Sequence, residues 1–328
     1  MPDPTETVII VSFCSALGIF AIVASTRKLL GIQAPEVNEM PPWPPLVEVA
    51  DADLEEIKVS THPEIRDLES PYQSPFADSE PPPQRDHRIP IGFYNSFDLL
   101  GMGFVFLTFF GLVTTSIRAA SQSDAVMDSA SLIVSIAFQF ICAGIVTAFV
   151  ITRIRPIDWL GLKWAKWPWV FLIAPGTVIS MWLFFGGLQL CGFMDWIKSM
   201  GIDSVQDTVK LLQDQSTDPL TLGLMAVAAV IAAPICEEIV FRGYLYPAAK
   251  RFAGPWVACI CTALIFASAH GNVGALLPLF VFGCVLVFIY EKTGSIWAPI
   301  AVHLCFNGAT VLIQLAVRFH LIPVNTNL

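Results

Sequence analysis

The feature that most constrains this chain is a succession of apolar runs of membrane-crossing length. They lie at about Val8–Ser25, Leu99–Ser116, Ser131–Thr152, Trp167–Leu190, Leu220–Phe241, Trp256–His270, Val273–Tyr290 and Ile296–Val317. A run of roughly 18 apolar residues reads as a transmembrane helix, because in hydrocarbon every backbone N–H and C=O needs an internal partner. The expectation is an all-α, polytopic transmembrane bundle of about eight helices. Composition agrees: 14% of the residues are charged, against about 25% in soluble domains.

Between the first and second runs the material changes. Residues 32–96 hold Pro41–Pro42, Pro44–Pro45, the run Pro81–Pro82–Pro83 and 13 of the 27 acids behind the net charge of −9. Such a stretch buries too little apolar area to offset chain entropy, so it reads as a disordered acidic linker. The apolar residues around Leu54–Val59 suggest a short docked piece within it. The implied organisation is an N-terminal helix (1–31), the linker (32–96), two accessory helices (97–152) and a main membrane domain (153–320). Asp195–Asp218 reads as a loop or an interfacial helix.

Asp3 and Glu6 precede the first run and Arg27 and Lys28 come after it, the reverse of a secretory signal. Alternating the helix ends from there puts Arg27, Lys28, Arg153, Arg155, Lys163, Lys166, Arg242, Lys250, Arg251 and Lys292 on one side. The other side receives only Arg118, Lys198, Lys210 and Arg318. The positive-inside rule then expects the N-terminus outside and the linker in the cytoplasm, in the plasma or inner membrane if the source is bacterial. No basic stripe suggests nucleic acid. The cysteines (Cys14, Cys142, Cys191, Cys236, Cys259, Cys261, Cys284 and Cys305) lie in or beside apolar runs without a CxxC pair, and read as small packing residues.

Ionisable residues are segregated. The first four runs hold none, whereas the last four hold Glu237, Glu238, Arg242, His270 and His303. Charge at membrane depth is costly, so this set points to a shared polar cavity. Glu238 and Arg242, four apart, can pair on one helix face. Glu237, turned by about 100° from its neighbour, is left as the candidate general base. Phe266 and His270 also stand four apart, as do His303 and Asn307, which present an imidazole beside an amide.

A glutamate, two histidines and an asparagine suit hydrolysis without a covalent intermediate. The carboxylate takes a proton from water, a histidine holds that water, and the second histidine with the amide donates to an oxyanion. Buried Glu and His residues equally suit a membrane carrier, or a non-catalytic scaffold or immunity protein that binds a peptide. No inverted repeat supports the carrier. No HExxH is present, so a zinc site would have to draw on Glu237, His270 and His303.

Glu237–Arg242 fits EExxxR, Phe266–His270 fits FxxxH and His303–Asn307 fits HxxxN, in this order on successive apolar runs. The ordered triplet resembles the CPBP (CAAX protease and bacteriocin-processing, or Abi) family, to which type II CAAX prenyl endopeptidases belong. The resemblance covers about Arg153–Phe319, and Trp159, Leu160, Gly161, Leu162 and Lys163 also look like a family feature. It implies an intramembrane endopeptidase without a cofactor, acting on a peptide or lipidated protein among membrane lipids. By matching positions, Glu237 and His270 would activate water, His303 and Asn307 would bind the oxyanion, and Glu238 with Arg242 would support them.

Overall fold

The computed structural model describes residues 4–32, 89–122, 128–202, 207–214 and 216–322, and no strand occurs among them. Eight principal helices are α1 (Pro4–Leu29), α2 (Asp98–Gln122), α3 (Ser129–Ile151), α4 (Trp167–Leu190), α5 (Pro219–Ala253), α6 (Pro255–Ser268), α7 (Val273–Thr293) and α8 (Trp297–Arg318). Seven are long and apolar enough to cross a membrane, and α6, at 14 residues, is shorter. At 1.5 Å per residue α6 spans roughly 21 Å, against about 30 Å of hydrocarbon. The expected bundle is therefore present, with one shorter member. The loop-or-helix stretch after α4 contains two short helices, Phe193–Ser199 and Asp207–Gln213.

Most of the expected linker, with the piece at Leu54–Val59, lies outside the described residues. Its last residues do not fit a tether. Ile89, Ile91 and Tyr94 are buried in the main apolar core. Just beyond them, buried Asp98 receives Arg153 through two bonds, Nη1 to Oδ2 at 2.7 Å and Nη2 to Oδ1 at 2.8 Å. The Arg153 guanidinium also lies 4.7 Å from the centroid of the Phe149 ring. Apolar burial and a forked ion pair thus hold the entrance of α2 against the exit of α3.

Several contacts gather one set of helix ends. Leu160 O accepts from Ile296 N at 2.9 Å, Trp159 reaches Gly243, and Lys250 pairs with Glu291, which also accepts from Tyr246 at 2.6 Å. The exits of α3, α5 and α7 and the entrances of α2 and α8 therefore share one end of the bundle, where most of the basic residues lie. At the opposite end Arg118 pairs with Glu6 at 2.7 Å, and Arg318 donates to the carbonyls of Asp214 and Thr217. Helix starts there are capped by Asp128 on Ser131 and by Asp218 on Leu220 and Thr221. These bonds hold both carboxyls below the usual carboxylate range.

Helix α5 is irregular where the site lies. Ala228–Ala232 and Glu238–Leu245 are π-helical. They end in bonds from Ala233 N–H to Ala228 O and from Tyr246 N–H to Phe241 O, five residues back. After each wide turn comes a single residue and then a proline, Pro234 or Pro247, which has no N–H to continue the ladder. Pro247 does not break the helix, and α5 runs on past the apolar run that ends at Phe241. The carbonyl of Gly243, four residues before Pro247, is taken by Trp159 Nε1 at 2.7 Å and by the Tyr94 hydroxyl at 3.0 Å. The Trp159–Lys163 segment is thereby explained. Trp159 satisfies α5, Leu160 satisfies Ile296, and Gly161 at φ 59° passes where a Cβ would meet the carbonyl of Gly294.

Candidate active site

The six candidate residues come from three places in the bundle. Glu237, Glu238 and Arg242 lie on α5, His270 in the turn after α6, and His303 and Asn307 on α8. Arg242 Nη1 donates to Glu238 Oε1 at 2.9 Å, as the four-residue spacing suggests. Its Nη2 donates to the carbonyl of Gly283 on α7 at 3.2 Å, and its guanidinium stacks 4.4 Å from the centroid of Phe266. Both side chains are essentially excluded from solvent, with Glu238 at 0% and Arg242 at 1% exposure. A buried pair of this kind needs further partners, and Gly283 and the aromatic face supply them on the guanidinium side, while Glu238 Oε2 is buried without a hydrogen-bond partner among the described residues.

His303 joins this pair. Its Nδ1 lies 2.8 Å from Glu238 Oε1, the oxygen that also receives Arg242. A carboxylate can only accept, so Nδ1 carries the hydrogen and Nε2 is the nitrogen left for other partners. Phe266 and Phe282 flank the imidazole edge-on, with centroids at 6.0 and 5.3 Å. His303 and Asn307 share a helix face, yet they are held by different partners. Asn307 Nδ2 donates to Ala229 O at 2.8 Å. With Ala233 N–H bonded five back to Ala228, the same pitch would give Ala229 to Pro234, which has no hydrogen to offer. The amide fills that place.

His270 departs from the sequence expectation. Helix α6 ends at Ser268, so His270 lies in the turn beyond it rather than on the helix face. Its Nδ1 donates to the carbonyl of Phe266 at 2.9 Å, which closes the helix end and leaves Nε2 as an acceptor. The rings of Phe266 and His270 are 5.0 Å apart. Fully buried Phe266 therefore spaces Arg242, His270 and His303 around itself.

Glu237, His270, His303 and Asn307 all line one cavity of about 660 Å³. Its remaining wall is mainly apolar, from α3, α4, α7 and the two short helices, with Trp182, Phe185, Leu212 and Leu279 among the lining residues. Glu238 and Arg242 do not line it and stand behind the wall. The two adjacent glutamates thus differ in position, Glu237 on the cavity and Glu238 behind its wall. Oε2 of Glu237 is buried without a hydrogen-bond partner among the described residues. Among the described residues no three His, Cys, Asp or Glu side chains group so as to hold a metal ion.

Two parts of this arrangement escaped sequence reasoning, the Gly283 carbonyl on Arg242 and the Ala229 carbonyl on Asn307. The second had a signal, since a proline inside an apolar helix always leaves a carbonyl to be satisfied.

Residues 219–309 match the family described as Type II CAAX prenyl endopeptidase Rce1-like. This segment is similar to membrane peptidases of the CPBP family. The CPBP match runs from the start of α5 into α8 and takes in all six candidate residues. Over 92 residues the chain is 34% identical to "Putative membrane peptidase YdiL" of Bacillus subtilis (strain 168), covering 28% of this chain and 38% of that protein. Over 91 residues it is 34% identical to "Membrane-embedded CAAX protease MroQ" of Staphylococcus aureus (strain USA300), covering 26% and 37%. The chain thus spans less than two fifths of the length of either relative in these matches. No solved structure matches the chain.

Proposed function

We propose that this protein is a membrane-embedded endopeptidase that hydrolyses a peptide bond with water activated by Glu237. The observation that carries the reading is the single cavity lined by Glu237, His270, His303 and Asn307, with one Glu237 oxygen unpartnered among the described residues. In the proposed step, the Glu237 carboxylate takes a proton from water while the water's other O–H, which stays intact, donates a hydrogen bond to His270 Nε2. The hydroxide adds to the peptide carbonyl carbon. The oxyanion is held by the free hydrogen of Asn307 Nδ2 and by His303 from Nε2. Donation from Nε2 requires the doubly protonated imidazole; Glu238, already balancing Arg242, orients it through Nδ1, and the oxyanion itself balances its charge. The intermediate collapses, the C–N bond breaks, and Glu237 returns its proton to the leaving amine.

The apolar wall supports a substrate that is a peptide with an apolar or lipid-bearing segment, in keeping with the CAAX prenyl description of the family. We place the basic end of the bundle in the cytoplasm and the N-terminus outside, on the positive-inside rule. The test uses purified protein in detergent with a farnesylated peptide ending in a CAAX sequence, and with an unprenylated apolar peptide. Cleavage by the native protein is expected. Glu237→Gln should lower it by roughly 10²–10⁴-fold, the worth of a general base, with unchanged thermal unfolding. Full turnover by Glu237→Gln would overturn the mechanism.

A further inference from the structure

The CPBP match begins at residue 219, yet part of the cavity wall comes from α3, well outside it. Ser131, Ser135 and Gln139 of α3 all line the cavity. Spaced by four residues, they form a polar stripe on an uncharged helix that is otherwise apolar apart from Ser129 and Thr147. Ser131 is committed, since it exchanges bonds with Asp128 in the helix cap. Gln139 is not: its Oε1 is buried without a partner among the described residues. It is also the member of the stripe closest to the centre of the helix. Helix α3 packs directly on the part of α5 that carries Glu237.

An extended peptide entering a mainly apolar cavity brings backbone N–H and C=O groups that need partners there. On one edge of an extended chain such groups recur every two residues, or about 6.6 Å. Positions four apart on a helix recur every 6 Å or so. Ser135 and Gln139 thus offer partners at nearly the same interval. The Gln139 amide supplies both a donor and an acceptor, which matches one peptide unit.

Resting on the endopeptidase reading, we propose that Gln139 is a substrate-binding residue, whose side-chain amide hydrogen bonds the main chain of the peptide beside the bond that Glu237 addresses. Recognition by Gln139 is of the backbone, so it is indifferent to the substrate's side chains. It also gives the accessory helix α3 a place in the site.

The test measures binding separately from cleavage. A fluorescein-labelled farnesylated CAAX peptide is titrated into detergent-solubilised Glu237→Gln protein, with and without Gln139→Leu, and its anisotropy is followed. Gln139→Leu is expected to weaken binding about tenfold, the scale of one hydrogen bond to a buried group. In the Glu237-bearing protein it should raise KM more than it lowers kcat. A series of peptides in which single amides are replaced by esters is then bound to the protein with Gln139 intact. One ester should weaken binding by a similar factor and lose that effect in Gln139→Leu. The ester series needs no folded variant to fail: equal binding of every ester peptide overturns the inference, as does unchanged affinity in a folded Gln139→Leu. Absence of peptide binding to either protein overturns it as well. Binding that depends on Gln139 without cleavage by the native protein would sink the endopeptidase reading and leave Gln139 as a peptide-binding residue.

Discussion

His303 donates from Nδ1 to Oε1 of Glu238 at 2.8 Å, and Arg242 shares that oxygen from the other side. Glu238 therefore balances one buried cation and orients one cavity-facing imidazole. Glu238→Gln removes the balancing charge and leaves Arg242 buried with a carbonyl and an aromatic face. A loss of roughly 3–5 kcal/mol is expected, read as a lowered unfolding temperature in detergent, together with lost activity. Adding Arg242→Met should recover much of the stability and none of the activity. A double variant as unstable as the single one would show that charge balance is not what the pair provides.

Asn307 has a structural duty beside its proposed chemical one. Asn307→Leu strands the Ala229 carbonyl inside an apolar helix, at a cost of about 1–3 kcal/mol. Pro234→Ala returns an N–H to α5, so it should relieve the instability of Asn307→Leu without restoring cleavage. Equal unfolding temperatures for Asn307→Leu with and without Pro234→Ala would contradict this account.

The Gly243 carbonyl has two donors, and losing one leaves it satisfied. Trp159→Phe and Tyr94→Phe should each cost about 0.5–1.5 kcal/mol, while together they should cost more than the sum, since the double variant leaves the acceptor bare. A double-mutant cycle on thermal or denaturant unfolding checks the sign.

Gly161 combines a left-handed backbone with a close approach to Gly294, whereas Gly192, at φ 73°, has nothing within 4 Å of its Cβ position. Alanine at either site carries the left-handed penalty of about 1–2 kcal/mol. Gly161→Ala should cost visibly more than Gly192→Ala, and the difference measures the backbone contact. Equal costs in the two variants would show that the contact relaxes freely.

Much of this is legible in the residues because a membrane demands long apolar helices and makes intramembrane charge conspicuous. The eight helices, the Glu238–Arg242 pair and the separation of Glu237 from it come from length, spacing and the helical period. Other features depend on chain segments far apart in sequence, which spacing cannot join. Asp98 and Arg153 are separated by 55 residues, and His303 and Glu238 by 65. The end of α5 is hidden because Arg242 interrupts the apolar run, and its burial against Glu238 is a tertiary fact. The four-residue spacing puts His270 on a helix that in fact ends two residues earlier, and Gly271 at φ 66° turns the chain there. Hydropathy carries no signal for the π turns, whose pitch differs while their composition does not.

Those wide turns make α5 a helix in which position is counted with a surplus. A π turn holds an additional residue within an α-helical frame, so the half of α5 before Glu238–Leu245 is rotated relative to the half after it. Deleting one residue there would let α5 close to ordinary pitch and swing Glu237 by about 100° from its place on the cavity wall. The apolar pattern and all six candidate residues would survive. Chain length within a single helix is therefore as much a part of this site as any side chain, and a variant could lose the arrangement while keeping every letter of its motifs.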